Sequence, residues 1–369
     1  MRGSHHEKNE GILAMKLPLA VVMGGKSAEH EISLRSGFNV LHHIDRSRYE
    51  VRAIVITQDG RYFYRDLGDG LAPSPEELRS LDGLPENGAS PLFKGPFRAH
   101  DARELFGNCK TAFLALHGEG GEDGRFQGFL DTLGISYNGP GVLASAAAMN
   151  KVLSKYLFLQ CGLATPPFSL FGRMHPETSV ARAAADRGFP CFVKCPQSGS
   201  SRLMGKATDE SSLKALLEEF SPLADEILIE SAISGAEFTC PVLEYPDGSV
   251  KSLAPIEIRP LAADFFDYTA KYQDNGSEEL CPAPRGPEIL EKIKHIALKA
   301  HNVLGCRGVS RTDMVLSSGV FYVLELNTLP GLTANSLLPK SFMADGGSYS
   351  GLLDVLIGSA RNRATGLPR

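Results

Sequence analysis

Apolar and polar positions alternate along this chain in a way that predicts three successive α/β segments. In the first segment, short apolar runs alternate with stretches of helical periodicity, at 19–23, 32–40, 51–56, 111–116 and 126–133. This order predicts an open parallel sheet whose strands are joined by helices, the last of which stops at Gly134. Residues 66–108 are rich in Pro, Gly and Ser and have weak periodicity, so we interpret them as loops and insertions.

The second and third segments carry further strands and helices. In the second, we predict helical or amphipathic stretches near 150–160, 177–187 and 211–219, and strands at 191–194 and 226–230. The third is strand-rich over 237–258, irregular over about 261–283, and then has a long helix from Pro287 to a stop at Gly305. Two further elements complete it, a hairpin over 313–324 and a last helix near 350–360.

These segments suggest how the chain is divided. We predict an N-terminal α/β unit, a central unit, and a C-terminal unit of α+β character, over 16–139, 140–229 and 230–361. Residues 1–15, which open with Met-Arg-Gly-Ser-His-His, look like an expression leader, and 362–369 form a short tail.

Composition argues against several classes of protein. With a net charge of -5 and a pI of about 6.1, the chain lacks the basic surface of nucleic-acid-binding proteins, and its Lys and Arg are too scattered to bind an anionic membrane. The apolar run at 17–23 is far too short to span a bilayer. Seven cysteines without a C-x-x-C pair indicate reduced thiols. We therefore expect a cytoplasmic protein that binds neither nucleic acid nor membrane.

Three side chains with hard oxygen atoms flank the predicted hairpin turn at 317–319: Asp313, Glu325 and Asn327. Because strand side chains alternate between faces, Glu325 and Asn327 share one face. A turn with an odd number of residues would bring Asp313 to that face, whereas a two-residue turn would send it to the other. Such a set suits Mg²⁺, which prefers one or two carboxylates plus substrate phosphates. Arg311, on the same face as Asp313, can counter negative charge that develops on a reacting oxygen. The alternative, a solvated strand face, fits poorly because the stretch is otherwise apolar.

Two glycine-rich loops follow predicted strands of the first segment. Gly24-Gly25-Lys26-Ser27 resembles the end of a Walker phosphate loop, but position 20 is Ala where that motif needs Gly, so we predict only a turn that suits an anion or small ligand. Glu29 and Glu31 beyond it can simply complement the helix dipole. The loop at 117–124 lies at the carboxyl end of a strand, where open α/β sheets bind ligands, and we interpret it as functional.

The second segment offers candidates for nucleotide binding. Lys194 ends a strand and precedes a Ser-Gly-Ser-Ser loop at 198–201, whose hydroxyls and amides can hold phosphate oxygens. At the crossing into the third segment, a strand edge with two carboxylates can receive a purine and a ribose, through Glu230, Ile233 and Glu237. Taken singly, each has an ordinary alternative: a surface loop, or solvated side chains such as that of Lys151.

Taken together, the motifs occur in a specific order along the chain: GGKSAEHEIS (24–33), HGEGGEDGRFQG (117–128), MNK (149–151), FVK followed by SGSS (192–201), DYTAKY (267–272), RTD (311–313) and ELNTLPGLTANSLLP (325–339). This order resembles the D-alanine–D-alanine ligase family of the ATP-grasp superfamily over almost all of residues 17–360. The resemblance implies three α/β domains that grip ATP between the central and C-terminal ones. It also implies a homodimer that joins two D-alanines, at the expense of ATP, for peptidoglycan precursors.

The same resemblance implies a nucleotide site and a metal site. The residues implied to contact ATP are Lys151 and Lys194 at the phosphates, Ser201 in the loop that closes over them, Glu230 and Ile233 at the adenine, and Glu237 at the ribose. Those implied to bind two Mg²⁺ (or Mn²⁺) ions are Asp313, Glu325 and Asn327.

The substrate residues are implied in the same way. Glu29 would hold the ammonium group of the first D-alanine, with His117 nearby. The carboxylate of the second substrate would meet Ser336 and Leu337. The tetrahedral intermediate would be stabilised by Arg311 and the amide of Gly331.

A covering loop and one departure complete the comparison with the family. Lys271 and Tyr272 would lie on a loop over the site, where the Tyr272 hydroxyl would bond with Glu29 and Ser200. Tyr rather than Phe at this position indicates D-alanine rather than D-lactate as second substrate. After the serine loop the family usually has Val-Gly, whereas this chain has Arg202-Leu203, which we expect to stiffen or shift the loop.

Two alternatives stay open. A closer variant of the same activity would make a D-Ala–D-Ser or D-Ala–D-Lac product. A rival from another class is an ATP-grasp protein that binds nucleotide without catalysis, for which Arg202-Leu203 is the supporting feature.

Overall fold

The structure is a computed structural model that describes residues 16–68, 70–197, 203–260 and 277–363. Several predictions lie outside these residues: the leader at 1–15, most of the tail, Ser200 and Ser201 in the serine loop, and Lys271 and Tyr272 in the covering loop. No helix among the described residues combines the length and the apolar character that a membrane span needs.

The first sheet is built from six strands: β1 (Leu17–Gly24), β2 (Tyr49–Ile56), β3 (Tyr62–Asp66), β4 (Lys94–Phe97), β5 (Thr111–Leu114) and β6 (Ser136–Tyr137). Their order is β4-β3-β2-β1-β5-β6. The four strands β2, β1, β5 and β6 pair in parallel, which confirms the predicted parallel sheet, while β3 and β4 add an antiparallel edge. Four helices belong to this part: α1 (His30–His43), α2 (Pro75–Arg79), α3 (Ala102–Phe106) and α4 (Arg125–Leu133).

The interpretation of 66–108 as loops and insertions is wrong in part. This region contains α2, whose first turn is closed by a capping box of Ser74 and Glu77, and also β4 and α3. Each of these elements has only four or five residues, too few for a periodic pattern to emerge. Asp82 of this region also supports the glycine loop at 24–27, through the buried ring of His30. Its carboxylate lies 2.9 Å from Nε2 of that ring, and Nδ1 of the same ring lies 2.7 Å from the Gly25 carbonyl oxygen.

The central part forms a four-stranded antiparallel sheet in the order β7-β10-β8-β9. Its strands are β7 (Phe168–Phe171), β8 (Cys191–Lys194), β9 (Met204–Ala207) and β10 (Ile227–Ser231). Its helices are α5 (Val142–Met149), α6 (Lys151–Gln160), α7 (Val180–Arg187) and α8 (Glu210–Phe220). The predicted strands at 191–194 and 226–230 and the helices near 150–160 and 211–219 are confirmed. The alanine-rich α5 was not predicted, since Ala leaves no contrast between its faces.

The C-terminal sheet runs in the order β14-β13-β11-β15-β16, with β12 paired to β11. Its strands are β11 (Ala236–Glu244), β12 (Val250–Ser252), β13 (Ile256–Pro260), β14 (Ser277–Leu280), β15 (Val309–Ser317) and β16 (Val320–Asn327). The helices are α9 (Pro287–Val303), α10 (Leu337–Ala344) and α11 (Tyr349–Arg363). The predicted helix start at Pro287 is confirmed. One face of the sheet is covered by α9, through an apolar cluster that includes Phe238, Cys240, Ile293 and Met314.

One apolar cluster joins the first and third sheets. It contains Leu19 and Val21 of β1, Leu243 of β11, and Leu352 and Leu356 of α11. The last helix therefore packs between the two sheets. This packing positions the loops that follow β1 and β5 against the segment that follows β16.

Candidate active site

The hairpin of β15 and β16 contains both a two-residue turn and a β-bulge. Ser318 and Gly319 have φ angles of 47° and 83°, as the central positions of a type I′ turn require. That turn alone would place Asp313 opposite Leu324 and on the wrong face. The register shifts between Asp313 and Met314, so that Asp313 pairs with Glu325 and Leu324 is the extra residue. The bulge thus returns Asp313 to the face of Glu325 and Asn327, and the predicted face is reached although the turn has two residues.

Asp313 is the centre of a compact polar cluster on this face. Its carboxylate lies 3.1 Å from both Nε and Nη2 of Arg311 and 3.0 Å from Nδ2 of Asn327. The hydroxyl of Thr239, on the neighbouring strand β11, donates to the same carboxylate at 2.5 Å. Thr239 was missed by the sequence reasoning, because its proximity depends on the pairing of β11 with β15.

The donor set fits a hard divalent cation. Two carboxylates, from Asp313 and Glu325, and one amide, from Asn327, share a strand face, and this leaves coordination positions for phosphate oxygens as Mg²⁺ requires. Among the described residues, no three or more His, Cys, Asp or Glu side chains are arranged to hold a metal ion. The hairpin set is not of that kind, because it has only two carboxylates and its third donor is the amide of Asn327. The carboxylates are balanced by cations, Arg311 at Asp313 and Lys151 at 3.2 Å from Glu325.

The predicted phosphate lysines converge on the same region from the central part. Lys194, at the end of β8, lies 2.5 Å from the buried carboxylate of Glu230 on β10. Burial alone would lower the pKa of Lys194, but Glu230, Glu325 and Glu237 outweigh it and the pKa lies above its usual range. Since Lys151 contacts Glu325, the two lysines and the acidic hairpin form one electrostatic site.

Lys155 is a buried lysine that the sequence reasoning did not single out. Its Nζ contacts the second oxygen of Glu230 and lies 2.7 Å from the hydroxyl of Thr165. Burial acts to raise the pKa of Glu230, yet the charges of Lys155 and Lys194 reverse this and lower the pKa to about 2. The available signal was the four-residue spacing from Lys151, which places both lysines on one face of α6.

The predicted adenine and ribose residues lie where β10 passes into β11. Ile233 is half-buried in that connection. Glu237 is the second residue of β11 and is near enough to Lys194 to raise the pKa of that lysine. The Glu230 carboxylate is engaged by two lysines, so its structural part is to hold them.

The first-substrate residues meet between α1 and the loop after β5. Glu29 occupies the N-cap position of α1 and is buried. A Cβ atom on Gly118 would lie 2.3 Å from Glu29 Oε2, and Gly118 has a φ of 69°, so only glycine allows this approach. Burial lowers the pKa of the neighbouring His117 despite the opposing charge of Glu29.

Glu122 is a second carboxyl in this pocket, and we had not singled it out within its loop. Its two oxygens accept the amides of Gly118 at 3.0 Å and Leu329 at 3.2 Å. Desolvation and the charge of Glu29 raise its pKa to about 8. Glu122 therefore ties the loop after β5 to the segment after β16.

The predicted residues at the second-substrate end lie together after β16. The side chain of Ser336 is so close to Gly331 that a Cβ on that glycine would lie 2.8 Å from Ser336 Oγ. Ser336 precedes α10, and its hydroxyl accepts the amide of Thr333 at 3.0 Å. Leu337 is buried in a small apolar cluster with Ile256 and Ile258.

Comparison with known proteins identifies the family. A model described as "D-ala D-ala ligase N-terminus" matches residues 18–140, and one described as "D-ala D-ala ligase C-terminus" matches residues 157–358. A D-alanine–D-alanine ligase from Leptospira biflexa serovar Patoc is 38% identical over 336 residues, which are 90% of this chain and 95% of that protein.

Solved structures agree with this result. The VanG D-Ala:D-Ser ligase from Enterococcus faecalis superimposes with a TM-score of 0.81 at 30% identity, covering 94% of this chain and 100% of that one. A D-alanine–D-alanine ligase from Bacillus anthracis, solved with ATP, gives a TM-score of 0.73 at 31% identity, covering 95% and 99%. The ATP-grasp architecture expected from the motifs is thereby confirmed. The chain belongs to the D-alanine–D-alanine ligase family.

Proposed function

We propose that this chain is an ATP-dependent ligase that joins two D-alanines to D-alanyl-D-alanine through an acyl phosphate. The observation that carries the proposal is the shared strand face of Asp313, Glu325 and Asn327, opposite Lys151 and Lys194. This arrangement supports the proposal, because oxygen atoms that could bind a cation lie close to two positive charges that could bind phosphates. Membership of the family supports the substrate class.

The nucleotide is assigned to the junction of the central and C-terminal sheets. Lys151 and Lys194 bind its phosphates, Ile233 and the backbone near Glu230 meet the adenine, and Glu237 accepts from the ribose. Support comes from the electrostatic coupling of Lys194 to Glu230, Glu325 and Glu237. Ser201, also assigned to the phosphates, lies outside the described residues.

Asp313, Glu325 and Asn327 would hold the divalent cations, two Mg²⁺ or Mn²⁺ ions. When bound, such ions supply charge neutralisation to a transferring phosphoryl group. Arg311, already beside Asp313, adds a fixed positive charge of the chain's own at the reacting end.

The amino acids are assigned to the neighbouring pocket. Glu29, with His117 behind it, binds the ammonium group of the first D-alanine, and Ser336 and the start of α10 at Leu337 receive the carboxylate of the second. The burial of Glu29 and its closeness to Gly118 support a site shaped for a small zwitterion. Lys271, Tyr272 and Ser200 are assigned to closure over this pocket, and all three lie outside the described residues.

The proposed chemistry balances in two steps. A carboxylate oxygen of the first D-alanine attacks the γ-phosphorus of ATP, the bond to the bridging oxygen breaks, and ADP leaves. The amine of the second D-alanine, having lost one proton to solvent, then attacks the acyl carbon and releases a second proton, which the departing phosphate takes. The resulting oxyanion is stabilised by Arg311 and the amide of Gly331, and phosphate departs with the oxygen that came from the carboxylate.

The setting follows from the same proposal. The product would serve peptidoglycan precursor synthesis in the cytoplasm, where ATP is available, and the working unit would be a homodimer. The similarity to a D-Ala:D-Ser ligase makes D-serine a second candidate for the accepting amino acid.

A coupled assay tests this function. With ATP, Mg²⁺ and D-alanine, we expect ADP, phosphate and dipeptide in equal amounts, with less product from D-serine and little from D-lactate. Glu325→Ala should lower turnover about a hundred- to a thousandfold, because it removes a cation ligand. Glu288→Ala, on the exposed face of α9, is the matched control and should change nothing.

Two results would contradict the proposal. ATP binding without any turnover that depends on a D-amino acid would favour a non-catalytic nucleotide-binding protein. Retention of full activity by Glu325→Ala, with far-UV circular dichroism unchanged, would remove the assigned metal site.

A further inference from the structure

The buried face of α1 carries two serines, Ser33 and Ser36, among its apolar positions. A buried hydroxyl without a partner costs free energy, so each needs a specific bond. The hydroxyl of Ser33 donates to the Ala115 carbonyl at 2.7 Å and accepts from the Gly24 amide at 2.8 Å, which joins the ends of β1 and β5. Ser36 instead contacts the ring of His117.

A series of hydrogen bonds runs from Ser36 through His117 to the segment after β16. Ser36 Oγ lies 2.8 Å from His117 Nε2, and His117 Nδ1 lies 3.1 Å from the carbonyl oxygen of Leu329. The amide of Leu332 reaches Ser36 Oγ at 3.4 Å. This series, which we call the Ser36–His117 bridge, begins and ends on the backbone of one turn, Leu329–Leu332, and encloses Gly331.

The direction of each hydrogen bond in the Ser36–His117 bridge follows from its partners. The Leu329 carbonyl can only accept, so Nδ1 of His117 carries the proton. Burial keeps the pKa of His117 below its usual range, so the ring is neutral and Nε2 must accept. The hydroxyl of Ser36 therefore donates to Nε2, and its lone pair accepts the Leu332 amide. Both ring nitrogens are thereby engaged within the protein.

The other polar atoms at the ends of this turn are also held. The Leu329 amide binds Glu122 at 3.2 Å, and the Leu332 carbonyl accepts from Tyr349 Oη at 2.5 Å and Asn39 Nδ2 at 3.1 Å. Between these anchors, the Gly331 amide has no acceptor among the residues that the structure describes. The turn therefore presents a single N–H from a rigid frame.

We infer that Ser36 is a positioning residue for the ligation step: by donating to His117, it holds the Leu329–Leu332 turn so that the Gly331 amide is aimed at the reacting carbonyl oxygen. His117 then acts as a clamp between α1 and this turn. The inference rests on the proposed function, because the Gly331 amide needs an oxyanion to stabilise. A donor aimed in advance at developing charge is effective because it needs no reorganisation during the reaction.

Kinetics of Ser36→Ala test this role. A small misplacement of a reacting group can cost about a hundredfold, so we expect kcat to fall about ten- to a hundredfold. The KM for ATP should not change, since the nucleotide site is on other elements. Ser36→Cys fills the same space with a weak donor, so its kcat should be nearly as low as that of Ser36→Ala. A wild-type kcat in Ser36→Cys would mean that Ser36→Ala is impaired by lost packing and not by the lost hydrogen bond.

Ser145→Ala is the matched control, since Ser145 is also a fully buried helical serine but lies on α5, away from the turn. It should keep the wild-type kcat. If Ser36→Ala also keeps it, Ser36 does not position the turn and the inference is overturned.

The ring of His117 gives a readout that does not depend on activity. In ¹⁵N-histidine-labelled full-length protein, long-range ¹H–¹⁵N spectra should show one neutral tautomer with the proton on Nδ1, assigned by comparison with His117→Gln among the ten histidines. Ser36→Ala should shift the Nε2 resonance. A proton on Nε2 in the wild type would overturn the inference, whereas an inactive wild type with the expected tautomer would overturn the proposed function instead.

Discussion

Leu203 occupies a backbone conformation that ordinarily belongs to glycine. Its φ is 50°, and its carbonyl accepts the amide of Cys195 at 3.0 Å, which holds the end of the serine loop against β8. Glycine, which the family resemblance led us to expect at this position, would adopt this conformation without strain, whereas leucine adopts it with strain. The left-handed region costs a non-glycine residue roughly 1–2 kcal/mol. The expected effect of this departure is therefore a strained backbone at residue 203, which should lower the free energy of unfolding.

Leu203→Gly should relieve this strain. Glycine also stabilises the unfolded chain by about 0.5–1 kcal/mol, so the net gain in the free energy of unfolding should be about 0.5–1 kcal/mol. Urea unfolding followed by far-UV circular dichroism measures it, because the chain has no Trp. Leu203→Ala keeps the strain and loses a side chain that is 40% exposed, so it should not be stabilised. Equal effects of the two substitutions would show that the backbone is not strained.

Elements with a long, regular pattern could be predicted, and elements defined by their partners could not. The parallel strands, α9 and the hairpin of β15 and β16 follow from periodicity and from Pro and Gly at their ends. The short helices α2 and α3 have too few residues for a pattern, and β9 follows a loop without a signal. The bulge at Leu324 was also invisible, since register belongs to two strands together. Sequence therefore left the face of Asp313 open, and pairing decided it.

Helix α6 carries two lysines that have different roles. Lys151 faces the acidic hairpin, while Lys155 is fully buried against Glu230 and Thr165. Lys155 also lies 3.5 Å from the carbonyl of Leu324, the bulged residue, so one cation touches both sheets. This helix thus links the central sheet to the strand that carries Glu325.

Lys155→Met should be strongly destabilising. It leaves the Glu230 carboxylate buried with one cation fewer, and breaking a buried pair costs about 3–5 kcal/mol in the free energy of unfolding. The double variant Lys155→Met with Glu230→Gln removes the charge of that buried carboxylate, while Lys194 keeps the nearby charges of Glu325 and Glu237, so it should recover part of the loss, as urea unfolding would show. Lys292→Met on the exposed face of α9 is the control. A double variant no more stable than the single one would refute this account of the buried charges.

The whole molecule brings together groups that are far apart along the chain. The motifs predicted a set of candidate site residues, but not that Glu122 would bind the Leu329 amide or that Ser36 would contact the Leu332 amide. Those contacts arise only when the last helix packs between the first and third sheets. Ser36, which acts through a neighbour, carries no sequence signal of its own, and the signal for Lys155 is limited to its four-residue spacing from Lys151. An experiment that follows one carboxylate oxygen of the substrate into the products therefore tests the whole site at once.

The fate of a carboxylate oxygen tests the central claim most directly. When D-alanine labelled with ¹⁸O in both carboxylate oxygens is incubated with enzyme, ATP and Mg²⁺, ligation through an acyl phosphate transfers one ¹⁸O to inorganic phosphate for each dipeptide formed. The isotope shift in ³¹P spectra, with dipeptide measured in the same sample, gives that ratio. We predict one labelled oxygen per phosphate and equal amounts of phosphate and dipeptide. Unlabelled phosphate released without dipeptide would contradict the account.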